Sequence, residues 1–198
     1  MDRKETTKFL TDLLIQDKLS DRKYFAKEVS IDYGSIHVKR IDVMQFAPQG
    51  VTYASDIEKG SFICYEIKSC YGDVYSGNGL NFYGEKNYIV TTMETYKKLQ
   101  EDLRNGKLWN HIHEHNPESS KYFGVMVPVS RSIDLRNTDL VYEEYENPKE
   151  LTDNIEKWRL HAILPCREGK RTRSTTELLF CMLRSKHSYT NKKGAEDA

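Results

Sequence analysis

The chain lacks the sequence features that define several large classes of protein. Its 198 residues include four cysteines, with neither a CxxC pair nor the spacing of a secreted disulfide framework. No apolar stretch approaches the length of a membrane span, and the first residues carry no secretory apolar core. We therefore expect buried free thiols and a cytoplasmic protein that has no membrane partner. The cysteines are Cys64, Cys70, Cys166 and Cys181.

Net charge is also absent, because 30 Lys and Arg residues balance 30 Asp and Glu residues. Residues 139–156 are nevertheless strongly acidic, and residues 167–193 are strongly basic. Such asymmetry can draw phosphates to one end of a molecule, although solvated surfaces also produce charge runs and a disordered basic loop is an equal alternative. The residues predicted to contact nucleic-acid phosphates are Arg167, Lys170, Arg171 and Arg173, with Arg184 and Lys186 flanking them.

The order of helical and strand patterns predicts one domain over residues 1–189. This order indicates an α/β or α+β fold with a central mixed β-sheet flanked by helices. A first helix is expected at 6–19, and strands at 27–31, 36–46, 61–70, 87–90, 122–129 and 160–165. Later helices are expected after the capping-box patterns Thr91–Glu94 and Ser174–Glu177 and after Pro148. Residues 131–150 are expected to form a polar loop, and residues 190–198 a disordered tail.

Two charges interrupt the apolar strand predicted at 61–70. The run is β-branched and aromatic on both parities, which indicates burial on both faces of a sheet. Glu66 and Lys68 share one face because side chains alternate along a strand, and Ile67 points to the other. Burying an unpaired ion costs roughly several kcal/mol, so these two residues need a compensating partner or a metal.

A phosphodiester cleavage site has a use for this pair. Mg²⁺ prefers oxygen ligands, which the carboxylates of Asp42 and Glu66 on neighbouring strands and the carbonyl of Ile67 can supply. Lys68 can orient the attacking water or stabilise the developing charge. Two structural alternatives remain: an ion pair between Glu66 and Lys68, and a salt bridge between Asp42 and Arg40.

The strand containing Asp42, followed about two dozen residues later by Glu66-Ile67-Lys68, resembles the PD-(D/E)xK nuclease superfamily. Within it, residues 6–104 are most similar to the phage and bacterial MmcB-like DNA repair proteins. The resemblance rests on Lys27-Glu28-Val29, Arg40-Ile41-Asp42, Tyr65-Glu66-Ile67-Lys68 and residues 76–88. Ile41 replaces the proline that precedes the aspartate in the family motif.

The resemblance implies a restriction-endonuclease-like core and a Mg²⁺- or Mn²⁺-dependent nuclease. By it, Asp42 and Glu66 are metal ligands, Lys68 is the catalytic lysine, and Glu28 is an accessory acid near the first helix. An exposed acid at a helix end is the structural alternative for Glu28.

Two further segments contain residues with candidate functions. The glycine-rich run 72–84 fits no GxGxxG or P-loop motif, and an ordinary loop is the simplest interpretation, although Asp73 and Asn81 are candidates to line a cleft. His111 and His115 would share a helical face suited to zinc, but their polar neighbours favour a solvated loop and no HExxH spacing is present.

Three functions are compatible with these patterns. The first is a metal-dependent nuclease whose expected substrate is DNA. The second is a non-catalytic module of the same fold that binds nucleic acid or protein, and the third is an inhibitor that docks on a host protein through residues 139–156. Mg²⁺-dependent cleavage separates the first from the others.

Overall fold

Six strands of the described residues form one mixed sheet in which the spatial order follows the sequence order. They are β1 (Tyr24–Ile31), β2 (Lys39–Ala47), β3 (Ser61–Lys68), β4 (Lys86–Thr91), β5 (Gly124–Ser130) and β6 (Trp158–Leu164). The structure, a computed structural model, describes residues 1–19 and 24–193, with the backbone alone for 186–193. Strands β1, β2 and β3 pair antiparallel, β4 lies parallel to β3 and β5, and β6 pairs antiparallel with β5. The chain is a single α/β domain, as predicted.

Helices cover both faces of this sheet. They are α1 (Arg3–Lys18), α2 (Ala54–Glu58), α3 (Tyr71–Val74), α4 (Met93–Arg104), α5 (Lys107–His115), α6 (Thr138–Glu146) and α7 (Thr175–Lys193). None of the helices described is both long enough and apolar enough to cross a membrane.

Helix α1 begins with a capping box and packs on one face of the sheet. The carboxylate of Asp2 accepts a hydrogen bond from the backbone N of Glu5, which starts the helix three residues before the predicted Thr6. Leu10, Leu13 and Leu14 are fully buried against this face, and each contributes about 1.5–3 kcal/mol of hydrophobic stabilisation. This packing fixes the first turns of α1 beside the end of β3.

The other face of the sheet is covered by two groups of helices. Leu178 and Met182 of α7 pack against β1, β2 and β3, while Leu99 of α4 and Leu108 of α5 pack against β4 and β5. Strand β3 is therefore buried on both faces, as its continuous apolar run predicted.

Two predictions between residues 131 and 158 are wrong. The expected polar loop contains α6, whose first turn is capped by the side chain of Asn137. No α-helix begins at Pro148: Leu151 lies in an irregular segment, Ile155 begins a single 3₁₀ turn (Ile155–Lys157), and Trp158 begins β6. The helix-like spacing of Leu151 and Ile155 reflects packing of both against α1, not an α-helix.

Smaller differences concern helix ends and the cysteines. The cap of α4 is Thr92, one residue later than the predicted Thr91, whereas Ser174 caps α7 as expected. Helix α7 continues past Tyr189 to Lys193, and residues 194–198 of the predicted tail lie outside the described residues. The cysteines are free, and Cys64 and Cys181 are buried as predicted, but Cys70 is exposed.

Candidate active site

A cleft of about 1190 Å³ opens at the end of the sheet where β3 ends. Its walls are the first turns of α1, the ends of β1 and β2 with the turn between them, and the glycine-rich segment before β4. Six residues predicted from the sequence line it, and Glu66 lies directly behind the lining. These six are Glu28, Asp42, Ile67, Lys68, Asp73 and Asn81.

Strands β1 and β2 change face at two opposed residues, Glu28 and Asp42. Ala26 and Val29, which differ in parity, belong to the same core cluster, and Ile41 and Met44 do so on the partner strand. Glu28 has a left-handed backbone (φ 54°), which costs a non-glycine residue on the order of 1–3 kcal/mol. The change of face gives both acids a place in the cleft lining. Glu28 therefore lies within a strand and lines the cleft, not at the end of a helix.

Asp42 links β2 to β3 where their ladder ends. The last register pair is Val43 with Tyr65, and beyond it the Oδ2 atom of Asp42 accepts a hydrogen bond from the backbone N of Ile67 at 2.7 Å. Burial raises the pKa of Asp42, and the Ile67 hydrogen bond and the charge of Lys68 oppose that rise. The predicted salt bridge to Arg40 is not formed, because Arg40 pairs with Glu28 at 2.8 Å.

Glu66 is fully buried and only half satisfied. Its Oε1 atom accepts a hydrogen bond from the backbone N of Asn81 at 3.1 Å, whereas its Oε2 atom has no partner among the described residues. Burial raises the pKa of Glu66 well above its ordinary value, and the nearby charge of Asp42 raises it further. An unsatisfied buried acceptor costs about 1–3 kcal/mol, so this oxygen fits a metal-ligand position.

Lys68 is held by the glycine-rich segment and forms no ion pair with Glu66. Its Nζ donates to the carbonyl of Asn78 at 2.7 Å, and its own carbonyl accepts from the hydroxyl of Thr91 at 2.5 Å. Gly79 (φ 77°) closes over both side chains: a Cβ there would lie 2.5 Å from Oε2 of Glu66 and 2.9 Å from Nζ of Lys68. Only glycine fits this position.

Asp73 and Asn81 lie at the cleft in different roles. Asp73 accepts hydrogen bonds from the backbone N and hydroxyl of Ser69 and pairs with Arg3 at 2.6 Å. Burial alone would raise the pKa of Asp73, but the hydrogen bonds from Ser69, the charge of Lys68 and the hydrogen bond from Arg3 bring it below its usual value. The side chain of Asn81 donates to the carbonyl of Arg40 and accepts from the amide of Asn116. Asn81 therefore links the glycine-rich segment to β2.

The predicted phosphate-binding arginines do not line the cleft. Arg171 pairs with Glu85 and donates to the carbonyl of Gly60, just before the start of β3 and at the opposite end from Lys68. Arg173 is surrounded by three carboxylates, those of Asp32, Glu118 and Glu177. Arg167 and Lys170 are exposed in the same segment. The guanidinium groups of Arg171 and Arg173 therefore stabilise the fold. Contact of this segment with nucleic acid stays a prediction.

The cleft has its own basic residues, which the sequence reasoning missed. Lys27 and Arg40 stand next to or near the site acids on β1 and β2, so their position along the strand was the available signal. Arg3 had no local signal, because packing of α1 brings it to the cleft. The cleft lining includes five cations, Arg3, Lys27, Lys39, Arg40 and Lys68, against three carboxylates, Glu28, Asp42 and Asp73.

Comparison with protein-family models, with curated proteins and with solved structures finds no match for this chain.

Proposed function

We propose that this chain is a Mg²⁺- or Mn²⁺-dependent nuclease that hydrolyses phosphodiester bonds in DNA. The observation that carries the proposal is the unpartnered Oε2 atom of the fully buried Glu66, which interacts electrostatically with Asp42 and Lys68 behind a cleft rich in cations. The resemblance to PD-(D/E)xK nucleases, and within them to MmcB-like proteins, rests on these same residues and is part of the proposal.

The donor set suits a hard divalent cation. Asp42 and Glu66 supply carboxylate oxygens and Ile67 a backbone carbonyl, the ligand types that Mg²⁺ and Mn²⁺ prefer. A cation bound there would act as a Lewis acid toward the scissile phosphate and lower the pKa of a coordinated water.

The protein's own side chains orient the substrate and respond to charge. Lys68, fixed by the carbonyl of Asn78, offers a positive charge that stabilises the negative charge developing on the phosphate oxygens. Lys27 and Lys39 line the cleft where they can hold backbone phosphates, whereas Arg3 is paired with Asp73. Glu28 is an accessory acid beside Asp42. Burial raises the pKa of Glu28, and the charge of Arg40 opposes that rise.

Removal of Lys68 tests the proposal. A panel of single-stranded, double-stranded and branched DNA, with RNA included, is incubated with Mg²⁺ or with EDTA. We expect cleavage by the wild type in Mg²⁺ only, and a loss of about 10²-fold or more in Lys68→Ala, because an electrostatic stabiliser is removed. Lys86→Ala, at the start of β4 and far from the cleft, is the matched control.

A second candidate function is nucleic-acid binding without cleavage. It is favoured by the complete burial of Glu66, because a carboxylate with a strongly raised pKa can also persist as a neutral structural group. This candidate predicts salt-sensitive retention of DNA by the wild type and by Lys68→Ala alike, with no products in either.

A further inference from the structure

A second group of ligand atoms lies outside the acid and lysine site, and one of its residues, His115, belongs to the cleft lining. The last turn of α5 presents His111, Glu114 and His115, and one ligand atom from each lies within 4.8 Å of the others. The centroids of the two imidazole rings are 4.3 Å apart. The helical face that the sequence suggested for this pair is therefore formed, and the solvated loop expected there is not.

The hydrogen bond of His115 leaves its outer nitrogen free to bind a metal. Its Nδ1 lies 2.9 Å from the carbonyl oxygen of His111, so the protonated Nδ1 donates and Nε2 keeps its lone pair. Metal-binding histidines commonly hold this arrangement, with one ring N–H bonded to a backbone carbonyl. Gly77 lies beside Nε2, and an added Cβ would come within 3.3 Å of it, so the glycine keeps the space next to this atom open.

Ring contacts restrict the orientation of His111. The ring of Tyr75 packs against that of His111 with centroids 4.8 Å apart, while Glu114 and His115 are exposed. Two imidazole nitrogens and one carboxylate oxygen form a borderline donor set, which favours Zn²⁺ and neighbouring transition metals over Mg²⁺.

We propose that His111, Glu114 and His115 form a site for a divalent transition-metal ion such as Zn²⁺. Three protein ligands at the surface leave a fourth position for water, as in open zinc sites. Because His115 also lines the cleft, an occupied site adds a divalent charge to the cleft wall beside Gly77. The site differs in donor type from the oxygen ligands of Asp42 and Glu66 and does not depend on the nuclease proposal.

Calorimetric titration of the chelator-treated full chain with Zn²⁺ tests this site. With Mg²⁺ present to occupy Asp42 and Glu66, we expect one Zn²⁺ site in the wild type. We expect the affinity to fall by about tenfold or more in His111→Ala, in His115→Ala and in Glu114→Gln, because each variant removes a ligand. His37→Ala, an exposed histidine in the turn between β1 and β2, is the matched control. Glu66→Gln must also keep the wild-type affinity.

X-ray absorption of the Zn²⁺-loaded wild type gives a readout that does not depend on any variant. Two imidazole nitrogens in the coordination shell support the site, and a shell of oxygen atoms alone overturns it. Absence of Zn²⁺ binding, unchanged binding in all three ligand variants, or binding lost in Glu66→Gln would each overturn it as well. Failure of DNA cleavage leaves this result untouched, so the two proposals fail separately.

Discussion

At the scale of single residues, Glu66 has the highest electrostatic cost in the site. It is fully buried, and one of its oxygens receives a backbone hydrogen bond while the other receives none. Burial and the charge of Asp42 outweigh the opposing charge of Lys68 and the backbone hydrogen bonds, so the pKa of Glu66 is raised. A divalent cation bound beside Glu66 would neutralise its charge and remove this cost.

The raised pKa makes stability depend on pH. The folded chain holds the Glu66 proton more tightly than the unfolded chain, so this stabilisation is complete below the unfolded pKa and is lost as pH rises through the folded pKa. We expect the free energy of unfolding in EDTA to fall as pH rises above the ordinary pKa of a glutamate, with a smaller fall in Glu66→Gln. Urea denaturation measures both.

Glu94→Gln is the control for that experiment, because Glu94 is exposed on α4. It should keep the pH dependence of the wild type. An equal fall in stability for the wild type and Glu66→Gln would show that Glu66 titrates normally, which contradicts its placement in the site.

Gly79 gives a second test at this scale. In Gly79→Ala the new Cβ would meet Oε2 of Glu66 and Nζ of Lys68 in a left-handed backbone that alanine adopts at a cost of about 1–2 kcal/mol. We expect Mg²⁺-dependent cleavage to fall by about tenfold or more, since catalytic groups tolerate displacements of well under 1 Å. Gly72→Ala, where nothing lies within 4 Å of the added Cβ, should keep wild-type activity. Equal activity of the two variants would contradict the role of Gly79.

At the scale of elements, the segment before α7 is an anchor and not a free basic loop. Arg171 pairs with Glu85, donates to the carbonyl of Gly60 and to the hydroxyl of Thr175, and lies 5.5 Å from the centroid of the Phe62 ring. These contacts tie the start of α7 to the start of β3.

Arg171→Ala should therefore destabilise the fold. We expect a loss of about 2 kcal/mol in the free energy of unfolding, because the hydrogen bonds of the guanidinium group are lost and the partly buried carboxylate of Glu85 is left without its cation. Arg167→Ala, an exposed arginine in the same segment, should stay within about 0.5 kcal/mol of the wild type. Thermal and urea denaturation measure both variants. Unchanged stability in Arg171→Ala would contradict the role of Arg171 as an anchor.

The elements show which parts of the fold could be predicted from the sequence. Strand β3 could be predicted because apolar residues occupy both of its faces. Its two charges, Glu66 and Lys68, stand out against this apolar run. Helix α6 was missed because its tyrosines and glutamates give no clear apolar face. Leu151 and Ile155 suggested a helix because both contact α1, although the backbone between them is irregular. The left-handed Glu28 has no sequence signal at all.

At the scale of the whole molecule, charge is balanced in total and uneven in space. Arg171 and Arg173 are neutralised by carboxylates of the fold. The cleft gathers cations from α1, β1, β2 and β3, and two of them, Arg3 and Arg40, pair with carboxylates in the cleft lining. Sequence distance hides part of this gathering, since Arg3 meets the site only through the packing of α1. The burial of Glu66 could be predicted because this acid interrupts an apolar strand, whereas the position of Asp42 was inferred from its neighbouring strand and from the resemblance.

The proposed nuclease requires Asp42 and Glu66 to hold a divalent cation together. Titration of Mn²⁺ into the metal-free full chain, followed by electron paramagnetic resonance, measures it directly. We expect a bound Mn²⁺ in the wild type and in His115→Ala, and an affinity lower by about tenfold or more in Glu66→Gln and Asp42→Asn. Mn²⁺ binding of equal strength in the wild type and in Glu66→Gln would contradict it.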